Sequence, residues 1–247
     1  TLARLGLSMA LGGGEVRLLD LAAAYGAFAN GGMKVTPVAI LKVADKNGKI
    51  LFEYKPVAPE RVIDGKVAFL INSILSDNNA RLLTFGVNSY LNLGSRAVAV
   101  KTGTTNDLKD NWTLGWSRDA VVGVWVGNND NKQMKNVASG VSGATPIWRR
   151  EMLEFLSKPP DRPFDKPAGI SEIEVDKISG YPAHDGFPSY KEWFIDGTVP
   201  SGDDPIHKNI QVCKGQNDKL ANAVQVAGEN FDWREVIVIA EKDPLTD

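Results

Sequence analysis

Apolar residues recur at helical spacing in GEVRLLDLAAAYGAFANGG, where Val16, Leu19, Ala23, Tyr25 and Ala29 form a stripe that ends at Gly31-Gly32. That pattern predicts a helix stopped by glycine. The following run, MKVTPVAILKVADKNGKILFEYKP, alternates apolar and polar on both sides of Asn47-Gly48, a hairpin signature. Helical spacing returns in DGKVAFLINSILSDNNARLL, with Val67, Leu70, Ile71, Ile74 and Leu75 on one face and Asp64 as the expected cap. RAVAV, WTLGWS and AVVGVWVGNND then read as three short strands, the last almost wholly apolar and so expected inside a sheet. GATPIWRREMLEFLSKPP closes the series as a helix, with Pro146 near its start and Pro159-Pro160 at its end.

The order helix, hairpin, helix, three strands, helix predicts an α+β fold: a mostly antiparallel sheet flanked by helices. After Pro159 the composition shifts to KPPDRPFDKPAG, a proline-rich and charged linker. Beyond it, ISEIEVD and REVIVIAEKD are strand-like and GYPAHDGFPSYKEWFIDGTVPSGDDP is loop-rich. The expected organisation is therefore residues 1–158 as one unit and 159–247 as a linker with a small β-rich extension.

Composition narrows the function. A net charge of -2 leaves no broad basic field, so no nucleic-acid partner is expected. One cysteine, Cys213, excludes an internal disulfide framework and a cysteine-built metal cluster. No apolar run is long enough to span a membrane. The chain opens on TLARLG without a methionine and ends abruptly at DPLTD, which predicts a piece of a longer protein whose anchor lies upstream.

The most chemical stretch is VAVKTGTTNDLKDNW, residues 98–112. Gly, Asn, Asp and Thr are common turn formers, so KTGTTND alone reads equally as a solvated β-turn. Lys-Thr-Gly at Lys101, Thr102 and Gly103 is also one of the three motifs of the serine acyl-transferases that include β-lactamases and penicillin-binding proteins. An edge strand can present a lysine cation and threonine hydroxyls to a carboxylate while its backbone pairs with an extended peptide. A side chain at Gly103 would obstruct such an approach.

The longer run VAVKTGTTNDLKDNWTLGWSRDAVVGVWVGNND resembles a segment of class A penicillin-binding proteins: a Lys-Thr-Gly-Thr-Thr core, an Asp-x-Trp strand and a Val-Trp-Val-Gly strand. LGGGEVRLLDLAAAYGAFANGG, ATPIWRREML and YKEWFIDGTVP resemble other stretches of that family. The resemblance covers nearly all of residues 1–158, as an incomplete transpeptidase fold like that of the serine β-lactamases, and thins out afterwards. It implies a peptidoglycan D,D-transpeptidase that acts through an acyl-serine intermediate and needs no cofactor. Stem peptides ending in D-Ala-D-Ala would be its substrates and β-lactams its inhibitors, at the extracytoplasmic face of a bacterial membrane. Its partners would include upstream transpeptidase and glycosyltransferase segments of the same protein. By the same resemblance Lys101 and Thr104 are catalytic, and Thr102, Gly103, Thr104 and Thr105 contact substrate. The Thr104 N–H would form half of an oxyanion hole. One departure is severe: no Ser-x-x-Lys occurs in the 247 residues. The expected nucleophile therefore lies on an upstream segment. An inactive binding module and an acyl-serine carboxypeptidase or β-lactamase remain open as alternatives.

Other candidates are set aside. Ser76-Asp77-Asn78 matches Ser-Asp-Asn letter for letter but falls at a predicted helix end. His184 and His207 are expected in surface loops, and Asp203 and Asp204 in a solvated turn, so no metal site is expected. Asn111 heads an Asn-Trp-Thr acceptor sequence at a strand start. Trp112, Trp116, Trp125 and Trp148 are expected as core.

Overall fold

The computed structural model describes residues 6–135, 141–157 and 162–238. Its contacts divide the chain into two units, Thr1–Ala168 and Gly169–Asp247. The segment 162–168, which the sequence assigns to a linker, belongs to the first unit: Arg162 pairs with Asp119, Asp165 pairs with Arg118, and Phe164 packs on the core.

In the first unit, helix α1 (Leu18–Ala29) is followed by a hairpin of β1 (Lys42–Ala44) and β2 (Ile50–Glu53), with Gly48 at φ 83 in the turn. Helix α2 (Gly65–Ser76) starts where the Asp64 carboxylate accepts the Lys66 N–H at 2.7 Å. This cap satisfies a donor the helix itself leaves orphaned. Ser76 and Asp77 end the helix, and the Ser76 hydroxyl bonds back to the Ser73 carbonyl. The central sheet has the order β3 (Ala99–Thr104), β4 (Asp110–Trp116), β5 (Val121–Gly127), all antiparallel, and helix α3 (Ala144–Leu156) follows. The Pro159-Pro160 stop lies outside the described residues.

The sheet separates two apolar layers. Val98, Val100, Val122 and Val124 pack with Trp148, Met152 and Leu156 of α3. On the opposite side Ala99, Trp116 and Val121 meet Ala29, Tyr25 and Phe28 of α1 and Ile71 and Leu75 of α2. Buried Asn72 ties that side together, accepting from Trp116 Nε1 at 2.7 Å and donating to the Phe28 carbonyl at 2.9 Å. Two glycines of the sheet are steric requirements. A Cβ on Gly115 would lie 2.3 Å from Trp148 Cζ2, and one on Gly127 would lie 2.5 Å from Trp125 Cζ2 and 2.9 Å from the Lys109 carbonyl oxygen.

Two expectations need correction. Val16 and Leu19 are exposed, so α1 buries only the later part of its predicted stripe, Tyr25 and Ala29, together with Gly26 and Ala27. Strand β5 lies at an edge of the described sheet rather than inside it. Its apolar run arises because both of its faces are covered, one by α3 and the other by α1. Asn111, whose acceptor sequence was set aside, is fully buried, and its Oδ1 accepts the Ala144 N–H at 2.7 Å and so caps α3.

The second unit is β-rich but better ordered than its loop-like composition suggests. Strands β6 (Ile170–Asp176) and β7 (Ser189–Ile195) form an antiparallel pair. Strands β8 (His207–Cys213), β9 (Gln216–Leu220) and β10 (Phe231–Ile237) form a second sheet in the order β10-β8-β9, with a short helix α4 (Ala223–Ala227) between β9 and β10. Asn222 and Gln225 close a reciprocal capping box at that helix. The unit's buried hydrophobic residues are few: Ile170, Val175 and Val212 among those described.

Candidate active-site edge

Strand β3 changes character halfway along. Val98, Ala99 and Val100 are buried between the two apolar layers, whereas Lys101 and Thr104 are exposed and Thr102 and Gly103 half-buried. One long edge of β3 pairs with β4, and among the described residues no strand pairs with the other. The register identifies the backbone groups on that open edge. Thr105 N donates to the Asp110 carbonyl at 3.1 Å, so residue 105 faces β4. In an antiparallel pair the N–H and C=O groups alternate sides residue by residue. Gly103 and Lys101 therefore also face β4, while the N–H and C=O of Thr102 and Thr104 point to the open edge. Lys101 Nζ donates to the Thr102 carbonyl at 2.6 Å, which brings the ammonium to this same edge.

Side chains follow the pleat in the other direction. Thr102 and Thr104 lie opposite Thr113 and Asn111, on the α3 side. There the Thr113 and Thr145 hydroxyls are 2.9 Å apart and Asn111 holds the first turn of α3. Lys101 and Gly103 belong to the opposite face, across from Leu114 and Trp112. The three polar side chains thus do not share a face; they share an edge. The Thr105 hydroxyl donates to the Asp110 carboxylate at 3.1 Å and accepts the Asp110 N–H at 2.8 Å. Trp125 Nε1 holds the other carboxylate oxygen at 2.8 Å. Thr105 therefore fastens the β3–β4 turn, in which Asp107 and Leu108 adopt φ 59 and 52.

Gly103 differs from the other sheet glycines. Its φ is ordinary, and a Cβ would meet only Trp112 Cβ at 3.6 Å, a normal contact. Nothing among the described residues demands a glycine there.

A second concentration of chemistry, in the second unit, was missed by sequence reasoning. His184 lies in a loop and is half-buried, but His207 is no loop-surface residue: it begins β8, its side chain is only 6% exposed, and its ring stacks on Phe187 at 4.0 Å. Asp204 belongs to no solvated turn, since its side chain is 3% exposed and lies 2.9 Å from His184 Nε2. Burial alone would raise the Asp204 carboxyl; hydrogen bonds from His184, Ser179 and the Ile206 and His207 amides hold it well below the usual carboxylate range. Asp176 is also lowered, first by the Ser179 amide and, once burial is offset, by the Ile178 amide and His207. Its hydrogen bonds to Asp204 and then Asp185 raise His184. Ligand atoms of Asp176, Asp204 and His207 lie within 4.8 Å of one another. The only sequence trace was the recurrence of Asp beside His.

Comparison with known proteins assigns the first unit. Residues 4–152 match the model of the penicillin binding protein transpeptidase domain. The chain is 33% identical over 203 residues to penicillin-binding protein 1A of Clostridium botulinum, covering 79% of this chain and 24% of that protein. Identity to penicillin-binding protein 2D of Bacillus subtilis is 29% over 235 residues, covering 92% of this chain and 32% of the relative, so that alignment reaches into the second unit. The crystal structure of penicillin-binding protein 1A from Haemophilus influenzae superposes with a TM-score of 0.70 at 30% identity, over 79% of this chain and 34% of that one. The fold is that of a penicillin-binding protein transpeptidase unit. The chain belongs to the penicillin-binding protein transpeptidase family.

Proposed function

We propose that this chain supplies the substrate-binding edge of a peptidoglycan D,D-transpeptidase, with the serine nucleophile contributed by a segment of the protein that the chain does not include. The observation that carries this reading is the open side of β3, where the backbone of Thr102 and Thr104 and the ammonium of Lys101 meet. A stem peptide ending in D-Ala-D-Ala lies along this edge as an added strand. The Thr102 and Thr104 hydroxyls hold its terminal carboxylate, and the Lys101 charge reinforces that contact. Serine Oγ attacks the penultimate carbonyl, the Thr104 N–H stabilises the oxyanion, the C–N bond breaks and D-Ala departs. A neighbouring amine then attacks the acyl-serine ester and restores the serine. β-Lactams enter by mimicking the terminal dipeptide. The reaction belongs at the extracytoplasmic face of the membrane, where peptidoglycan lies, and the chain works there with upstream transpeptidase and glycosyltransferase segments. Among the described residues no helix is long and apolar enough to cross a membrane.

Acylation by a fluorescent penicillin tests the assignment, measured on the protein that joins this chain to its serine segment. Lys101→Ala is expected to slow acylation by about a hundredfold, the scale of losing one preorganised electrostatic contact. A rate within about twofold of the parent removes Lys101 from the site.

A further inference from the structure

The second unit has a thin apolar core and a buried ionic centre. Units of this size with little core commonly rely on disulfides or metals, and a single cysteine offers no internal disulfide. Asp176 ends β6, Asp204 precedes β8 and His207 begins β8, so one point joins the unit's two sheets. The side chains of Asp176, Asp204 and His207 are 1%, 3% and 6% exposed. Two carboxylates taken out of water at close quarters require a compensating positive charge.

His207 indicates what provides it. Its Nδ1 lies 3.3 Å from the Glu235 carboxylate on β10, which backs the ring, while its Nε2 faces the Asp176 and Asp204 carboxylates. Nε2 is buried and has no hydrogen-bond partner, although Asp176 Oδ1 is 3.3 Å away, because the two are poorly aimed. A carboxylate behind a histidine, with the far nitrogen facing carboxylate oxygens, is the outer-shell arrangement of metal-binding histidines. His184 would play the corresponding part for Asp204, holding Oδ2 at 2.9 Å.

We propose that Asp176, Asp204 and His207 form a structural site for a borderline divalent cation of the zinc type, which clamps the two sheets of the second unit together. One imidazole with two carboxylates suits zinc better than magnesium or calcium, which prefer oxygen-only shells. The site is distinct from the β3 edge and does not depend on the transpeptidase assignment.

The test uses the full chain, stripped with a chelator and titrated with zinc(II) alone. One zinc per chain is expected, together with a rise in the thermal midpoint of the C-terminal unit. Glu235→Gln, at the solvent side of the ring, should weaken zinc binding by about 10–100-fold without unfolding the unit, and His207→Gln should weaken it further. Cys213→Ser should bind zinc like the parent. Cobalt(II) provides a readout that no variant is needed for: a weak ligand-field spectrum without a thiolate charge-transfer band is expected. Failure of the parent to retain zinc, undiminished binding in folded Glu235→Gln and His207→Gln, or a thiolate band from Cys213 would each overturn the proposal.

Discussion

The two units place their polar chemistry in opposite positions. The first packs Trp116, Trp148 and Met152 into apolar layers and keeps Lys101 and Thr104, the groups of the proposed site, exposed on a strand edge. The second buries its charges and has only a few apolar residues around them. A strong core lets a functional edge stay unpaired at little cost to the fold, whereas a weak core must recruit its polar groups as part of the support. Substitutions in the first unit should therefore separate into those that damage folding and those that damage function, while in the second unit the two effects should coincide.

Trp148→Ala offers the largest test. Trp148 is fully buried beneath the sheet, and its removal should cost about 3–5 kcal/mol in urea unfolding of the first unit. A loss below about 1 kcal/mol would mean the core is not the support described. Gly115→Ala comes next, because a methyl group must displace the Trp148 ring; about 1–3 kcal/mol is expected. Asn111→Ala removes the side-chain cap of α3 and should cost about 0.5–2 kcal/mol by the same assay. At the small end, Asp20→Asn breaks an exposed pair with Arg17 and should leave the unfolding midpoint unchanged. A clear shift there would show that surface charge carries more of the first unit than its core contacts imply.

How much could be read in advance differs between the units for the same physical reason. Helices α1 to α3 and strands β1 to β5 announce themselves because each has its own period, cap or turn, as Asp64 before α2 and Asn47-Gly48 between β1 and β2 illustrate. The Lys101–Thr105 motif is contiguous, so its chemistry is visible as letters. That Gly26 and Ala27 join Tyr25 and Ala29 against the core while Leu19 stays exposed was not visible, because an alanine-rich helix offers nearly equivalent stripes and tertiary contact chooses between them. β5 misled because double coverage by helices produces the same apolar run as a central position. Strands β7, β8 and β9 lie among prolines, glycines and charges that obscure alternation. Asp176, Asp204 and His207 come together only through sheet pairing, which no spacing rule contains.

The central claim is that the edge of β3 is shaped for a ligand and not for the fold, and Gly103 isolates it. Among the described residues no contact excludes a side chain there, while a methyl group on the Lys101 face of β3 would crowd a ligand laid along this strand. The most direct measurement compares acylation by a fluorescent penicillin with urea unfolding for Gly103→Ala, in the protein that joins this chain to its serine segment. The expected result is an unfolding free energy within about 0.5 kcal/mol of the parent and an acylation rate lower by about a hundredfold, the scale of a small misplacement of substrate. Acylation within about twofold of the parent at unchanged stability would contradict the claim.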